Sequence, residues 1–335
     1  MESEDTTALT PLVSFVIPVR DDAARLRRCL QSLARSTYPR ERLQVIVADN
    51  GSTDGSDLVA VEAGATVLRL PGLRVGELRN RGVQVAAGEI LAFVDADHEI
   101  VPDWVSNAVE TLLNHRVGAV GAPYHPPPDA TRVQRLYNSL RSHHTGRPEV
   151  TWLGTGNMAI KRNAFQQVGG FDITLDTCED VDLCRRLRAI GYRLISDERL
   201  YNVHYGDPAT LRAIFMGELW RGKDNFRVSL RRPVTSRTVV SLILSIVTLL
   251  ATASVIAGTI LGLASPSGRG PVIAAAAAFL VLLLTLLRTG WMLRHIPETA
   301  LGDLLCAPSV AFTYELGRAL ALVFRITHRH RRATS

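Results

Sequence analysis

The sequence predicts a mostly parallel, doubly wound α/β sheet flanked by helices, followed by helices long enough to span a membrane. Three observations carry this. Short runs of strand formers alternate with stretches of helical periodicity from Val13 to Gly121. Two of those runs stop at an aspartate followed by a turn, which puts acidic groups on one edge of the sheet. From Thr238 onward, long apolar runs replace the mixed composition of a globular domain.

Val13–Val19 (VSFVIPV) is the first expected strand, with Pro18 near its end, where a missing N–H is tolerable. Asp21 and Asp22 start a helix that repeats Leu26, Cys29, Leu30 and Leu33 at helical spacing. Leu43–Ala48 is the second strand and stops at Asp49 in the turn DNGSTDGS, whose small residues permit close backbone approach to a ligand. Thr66–Leu70 gives a short third strand, and Val75–Ala87 a helix ended by Gly88. Pro102–Asn114 is a further helix and Val117–Gly121 a further strand.

Between them lies Glu89–Ile100, EILAFVDADHEI. Ile90–Val94 is apolar throughout, as a strand buried on both faces must be. Asp95 and Asp97 follow one residue apart, and strand geometry would turn both to the same side. Two carboxylates converging on one spot call for a divalent cation with a diphosphate on it; by themselves they fit an ordinary polar turn as well. No GxGxxG follows the first strand and no GxxxxGK[ST] occurs anywhere, so dinucleotide-fold and P-loop readings lose their main support.

The segments FVIPVRD, VIVADNGSTDGS, LRNRG, ILAFVDADHEI, GTGNMAIKRNAFQQVGGFD and CEDVDLCRRLRAIGY, in that order from Val13 to Asn225, resemble the family 2 glycosyltransferases with a GT-A fold. The resemblance implies a nucleotide-sugar donor (a UDP- or GDP-sugar), a divalent metal (Mn or Mg) and direct displacement that inverts the anomeric carbon. It places Pro18, Val19 and Arg20 along the nucleoside pocket, Asp49 on the base and Arg79 near the diphosphate. Asp95, Ala96 and Asp97 become the DxD segment, with metal on the two aspartates and His204 beside them. His98 stands where many relatives carry a further Asp, and its role stays open. Trp152–Ile160 would line the acceptor and donor sugar, with Asn157 hydrogen-bonding inside the site. Glu179-Asp180 opens a helix, where acidic residues are expected from capping and dipole alone. The resemblance makes Asp180 the general base and Glu179 its neighbour. The segment Tyr124–Val150, with a short helix at about Ala130–Ser142, would shape the acceptor site. The QxxRW motif of processive polysaccharide synthases is absent, which favours transfer of one or a few sugars.

Leu211–Phe226 reads as an amphipathic helix close to a membrane, with Arg221 available to head-group phosphate or a leaving diphosphate. Thr238–Ala264 and Pro271–Leu287 are the expected spans, and Leu301–Phe324, interrupted by Asp303, Glu315 and Arg318, is expected to lie at the interface rather than cross. The expected division is therefore a catalytic domain over 1–232 and a membrane domain over 233–335, with spans at about 238–264 and 271–290, an interfacial helix or third span at about 301–324 and a basic tail. The 38 Lys and Arg against 32 Asp and Glu leave +6, and basic residues gather where the apolar runs begin and end. That suits an anionic membrane, with both outer ends cytoplasmic, better than nucleic acid. Neither zinc-finger spacing nor basic-aromatic interleaving is present. The acidic, polar N-terminus and four cysteines without framework spacing fit a cytoplasmic, reduced catalytic domain on the cell membrane, acting on a lipid-linked or glycan acceptor. Two rivals are a catalytically silent scaffold, which intact Asp95, Asp97 and Asp180 argue against, and a nucleotidyltransferase, which lacks a basic phosphate loop after the first strand.

Overall fold

The computed structural model describes residues 10–141, 145–229, 231, 236–264, 268–296 and 299–324. The acidic N-terminus, Arg232, the polar turn at 265–267 and the basic tail therefore lie outside the described residues. The chain divides into two compact units, 1–127 with 144–206, and 128–143 with 207–335.

The first unit runs β1 (Val13–Val19), α1 (Ala23–Ala34), β2 (Leu43–Asp49), α2 (Ser56–Glu62), β3 (Thr66–Arg69), α3 (Val75–Val85), β4 (Ile90–Val94), β5 (His98–Ile100), α4 (Trp104–Leu113) and β6 (Val117–Gly121). Numbering the second unit's α5 (Arg132–Asn138) in its place, the first unit continues with β7 (Glu149–Val150), β8 (Asn157–Lys161), α6 (Arg162–Gln167), α7 (Glu179–Ala189), β9 (Arg193–Ser196) and β10 (Asn202–His204). Its main sheet has the order β3-β2-β1-β4-β8-β6-β9-β7. The β3-β2-β1-β4 block is parallel, while β8 lies antiparallel between β4 and β6. The sheet is thus mixed but mostly parallel, as the alternating pattern requires.

Alternation along the strands sorts the core into two layers. Phe15, Ile17, Ala92, Val94 and Trp104 belong to one cluster, Val16, Leu91, Phe93, Met158 and Ile160 to the other. Both faces of β1 and β4 are therefore dry, which explains their continuous apolar runs. Each buried Val, Leu, Ile, Phe or Met among them contributes about 1.5–3 kcal/mol. Helix α3 lies close over β1 because Gly82 presents no side chain to Val16. That approach fixes where Arg79, one turn earlier, can reach. A separate two-stranded ribbon pairs β5 with β10, and its antiparallel register sets His98 directly opposite His204.

The second unit contains α5, α8 (Leu211–Arg221), α9 (Asn225–Ser229), α10 (Ser236–Ala264), α11 (Arg269–Leu293) and α12 (Leu301–Leu320). The single helix expected over Leu211–Phe226 breaks after Arg221, so α8 and α9 are separate. The Thr210 side chain accepts the Ala213 N–H and starts α8. Glu218 on α8 is buried and accepts the Tyr137 hydroxyl at 2.7 Å. Among the described residues two helices, Val239–Ala264 and Arg269–Leu293, are long and apolar enough to cross a membrane. They pack against each other where Gly258 and Gly270 bring the two backbones together. Helix α12 keeps its acidic residues because each has a cation: Arg132 Nε donates to Asp303 at 3.0 Å and Arg288 Nε to Glu315 at 2.6 Å.

Candidate active site

The strand β4 stops at Val94, and the next residues form a turn closed by the His98 N–H donating to the Asp95 carbonyl at 3.1 Å. This corrects the expectation that Asp95 and Asp97 project together as alternate residues of one strand. The turn gives the two carboxylates different partners. Asp95 Oδ1 lies 2.7 Å from Arg79 Nη2, and Asp97 Oδ2 lies 3.3 Å from His204 Nε2. Ala96, between them, is buried.

Asp97, His98 and His204 form a cluster whose candidate ligand atoms all lie within 4.8 Å of one another. The β5–β10 register creates it, since the two imidazoles sit across the ribbon with ring centroids 4.5 Å apart. Burial alone would raise the Asp97 carboxyl. The hydrogen bond and charge of His204, and the charge of His98, outweigh it and hold Asp97 well below the usual carboxylate range. Burial, reinforced by the charge of His204, pushes His98 down to about 4, so its ring is neutral at neutral pH. His98 Nε2 is buried without a hydrogen-bond partner. A side chain at Gly156 would come within 2.9 Å of both that nitrogen and Asp95 Oδ2, so glycine keeps the space before them open. One ionised carboxylate, two imidazoles and an orphaned nitrogen suit a divalent cation.

Arg79 is buried, and its guanidinium bridges Asp95 to Glu179, with Nη1 2.7 Å from Glu179 Oε1. The residue expected beside a diphosphate is thus already engaged by two carboxylates from distant elements. Glu179 and Asp180 open α7 after Cys178, whose backbone is left-handed at φ 61°. Desolvation first, and the like charge of Glu179 second, push Asp180 up to about 7, against a hydrogen bond from Trp152. The helix dipole would lower this value; loss of water outweighs it.

At the end of β2, Asp49 is buried. Its Oδ1 accepts the Ser52 N–H at 3.0 Å, and its Oδ2 has no partner. The loop after β2 also caps α1: Asp54 accepts the Ala23 N–H at 2.8 Å, and Ser56 Oγ the Asp22 N–H at 3.2 Å. Val19 and Asp49 are register partners, so Pro18, Val19 and Arg20 reach the same sheet edge, Arg20 exposed.

Two expected site residues are placed differently. Asn157 is fully buried and spends its amide on the scaffold: Oδ1 accepts the Trp104 indole N–H at 2.7 Å, and Nδ2 donates to the carbonyls of Ala122 and Leu200. It joins strand to helix instead of presenting a polar group to a ligand. Arg221 belongs to the second unit, where its Nη1 lies 3.1 Å from Glu218. Sequence reasoning left two residues without roles: His98, and Asn202, whose Oδ1 meets His98 Nδ1 at 2.8 Å. The single histidine directly after Asp97 was the available signal.

Residues 14–170 match Glycosyl transferase family 2. The chain is 29% identical over 233 residues to the glycosyltransferase AglE of Haloferax volcanii, covering 66% of this chain and 73% of that protein. It is 31% identical over 199 residues to the pre-mycofactocin glycosyltransferase of Mycobacterium tuberculosis, covering 54% of this chain and 40% of that relative, less than half its length. Among solved structures it resembles the mannosyltransferase PcManGT from Pyrobaculum calidifontis in complex with GDP-Man and Mn2+, with a TM-score of 0.61 at 18% identity, over 94% of this chain and 88% of that one. That likeness is one of fold.

Proposed function

We propose, from the premise that this glycosyltransferase carries a family 2 domain over residues 14–170, that it moves a sugar from a nucleotide-sugar donor to a hydroxyl of a lipid-linked or cell-envelope acceptor, inverting the anomeric carbon. The observation that carries the reading is the cluster of Asp97, His98 and His204, with ligand atoms within 4.8 Å, just beyond the carboxyl end of β4. Asp97 and His204 hold a divalent cation, manganese or magnesium. When bound, it supplies positive charge to the departing diphosphate.

The unpartnered Asp49 Oδ2 accepts from the nucleoside base, with Pro18, Val19 and Arg20 along the same pocket. Asp180, half-buried, takes the proton from the acceptor hydroxyl as its oxygen attacks the anomeric carbon. The bond from that carbon to the diphosphate oxygen breaks on the opposite side, and the nucleoside diphosphate leaves. One displacement with one base gives inversion. Arg79 keeps Glu179 and Asp95 in place by pairing with both. The two long apolar helices anchor the catalytic unit at a membrane, both outer ends cytoplasmic.

The test is a thermal-shift screen of the full-length protein against a panel of nucleotide sugars, with and without manganese. The right donor stabilises by mass action, and only with metal present. Transfer should cease on exhaustive chelation and return with manganese or magnesium. Full activity in chelator, or no stabilisation by any nucleotide sugar, overturns the reading.

A further inference from the structure

We propose that His98 is a third protein ligand of the cation, aimed by Asn202, and that this two-imidazole, one-carboxylate set favours manganese and its heavier transition-metal neighbours over magnesium. The inference rests on Asp97 and His204 forming a cation site, as above.

The argument begins at Asn202, which is fully buried. One end of its amide lies 3.1 Å from the Pro123 carbonyl and the other 2.8 Å from His98 Nδ1. A carbonyl only accepts, so the end at Pro123 is the NH2 group and the end at His98 is the oxygen. An amide oxygen also only accepts, so the hydrogen of the neutral imidazole sits on Nδ1 and the lone pair on Nε2. This is the outer-shell arrangement that orients a metal-binding histidine.

That lone pair is aimed into the cluster. His98 is 1% exposed, Nε2 has no hydrogen-bond partner, and it lies 3.8 Å from Asp97 Oδ1. A buried ring nitrogen left unpaired is costly unless it has a use. Gly156 keeps its approach open. The β5–β10 register supplies the second imidazole from the opposite strand, so the nitrogens of His98 and His204 reach one centre with the Asp97 carboxylate. Magnesium is best served by oxygen ligands and retained water, whereas imidazole suits the transition metals, with affinity rising from manganese towards cobalt and copper.

The test loads full-length protein with manganese alone and counts the nitrogens coupled to the ion by pulsed electron paramagnetic resonance. Two inequivalent imidazole couplings are expected in the unaltered protein, one in His98→Gln and one in His204→Gln. Asn202→Ala should keep the fold but weaken manganese binding by about 10–100-fold by calorimetry, with a smaller change for magnesium. The wild-type spectrum depends on no variant folding. A single coupling in wild type that survives in His98→Gln overturns the proposal while leaving the cation site intact. Unchanged manganese affinity in Asn202→Ala removes the role of Asn202. Failure to bind manganese at all overturns the cation site as well.

Discussion

Asp97 follows the end of β4 and Asp180 lies in the first turn of α7, and both are aspartates of the same compact unit. Asp97 meets imidazoles and is held well below the usual carboxylate range; Asp180 meets desolvation and another carboxylate, and is pushed up to about 7. The side chains are identical, so the difference comes from neighbours. One carboxylate stays ionised as a cation ligand must. The other can exchange a proton near neutral pH, as a general base must. Arg79 pairs with Asp95 on one side and Glu179 on the other, a carboxylate close in sequence to each of the two aspartates.

The contrast is broken most completely at its metal end. Asp97→Ala removes the one carboxylate of the cluster, and metal-dependent transfer should fall to background while manganese binding is lost in calorimetry. Retained manganese affinity would mean that the cluster is not the cation site. At the other end, Asp180→Asn should keep donor affinity within a few-fold and lower turnover by roughly a hundredfold or more. Normal transfer by that variant would reduce Asp180 to a helix-capping residue and move attention to Glu179.

Between the two ends, Arg79→Met leaves Glu179 and Asp95 without their shared cation. Removing one partner of a buried pair costs about 3–5 kcal/mol, so calorimetry should show a large drop in melting temperature at neutral pH. Arg79→Lys keeps a cation beside both carboxylates and should recover part of the loss. No recovery in Arg79→Lys would point to lost packing against Phe171, over whose ring the guanidinium lies at 5.6 Å.

Much of this fold was legible in the sequence because β1, β2 and β4 are short apolar runs that stop at polar turns. Strand β8 was not, because Asn157 and Lys161 bound it and its pairing with β4 and β6 joins distant segments. Asn157 was expected as a ligand contact because Trp152–Ile160 resembles a family segment that lines the sugar site, with Gly154 and Gly156 just before it. Its amide is consumed by Trp104, Ala122 and Leu200, contacts that no local pattern reveals. Asp49, Asp97, Asp180 and His204 could be picked out through the resemblance. The bridge through Arg79 and the facing of His98 with His204 could not, because each depends on register or on helix placement across the fold. Strand periodicity also misjudged Asp95 and Asp97, since it assumes that the strand continues through them.

The finest test of the contrast alters the neighbour and leaves the base in place. Glu179 raises the Asp180 pKa by like charge, while Arg79 lowers it from the other side. In Glu179→Gln the raising charge is gone and the Arg79 charge remains, now balanced only by Asp95. Both changes favour the ionised form of Asp180, so its pKa must fall from about 7. A base is active when deprotonated, so wild-type kcat/KM should rise with pH and level off above about 7, and the variant should reach its plateau at lower pH. The plateau itself should be somewhat lower, because a less basic carboxylate takes a proton less readily. The variant therefore loses activity at pH 8 yet keeps a larger share of its maximum at pH 6. Measuring kcat/KM against pH at saturating manganese separates this from metal binding. An acid limb that stays where it is in Glu179→Gln would show that desolvation alone sets Asp180, and that Glu179 serves only to hold Arg79.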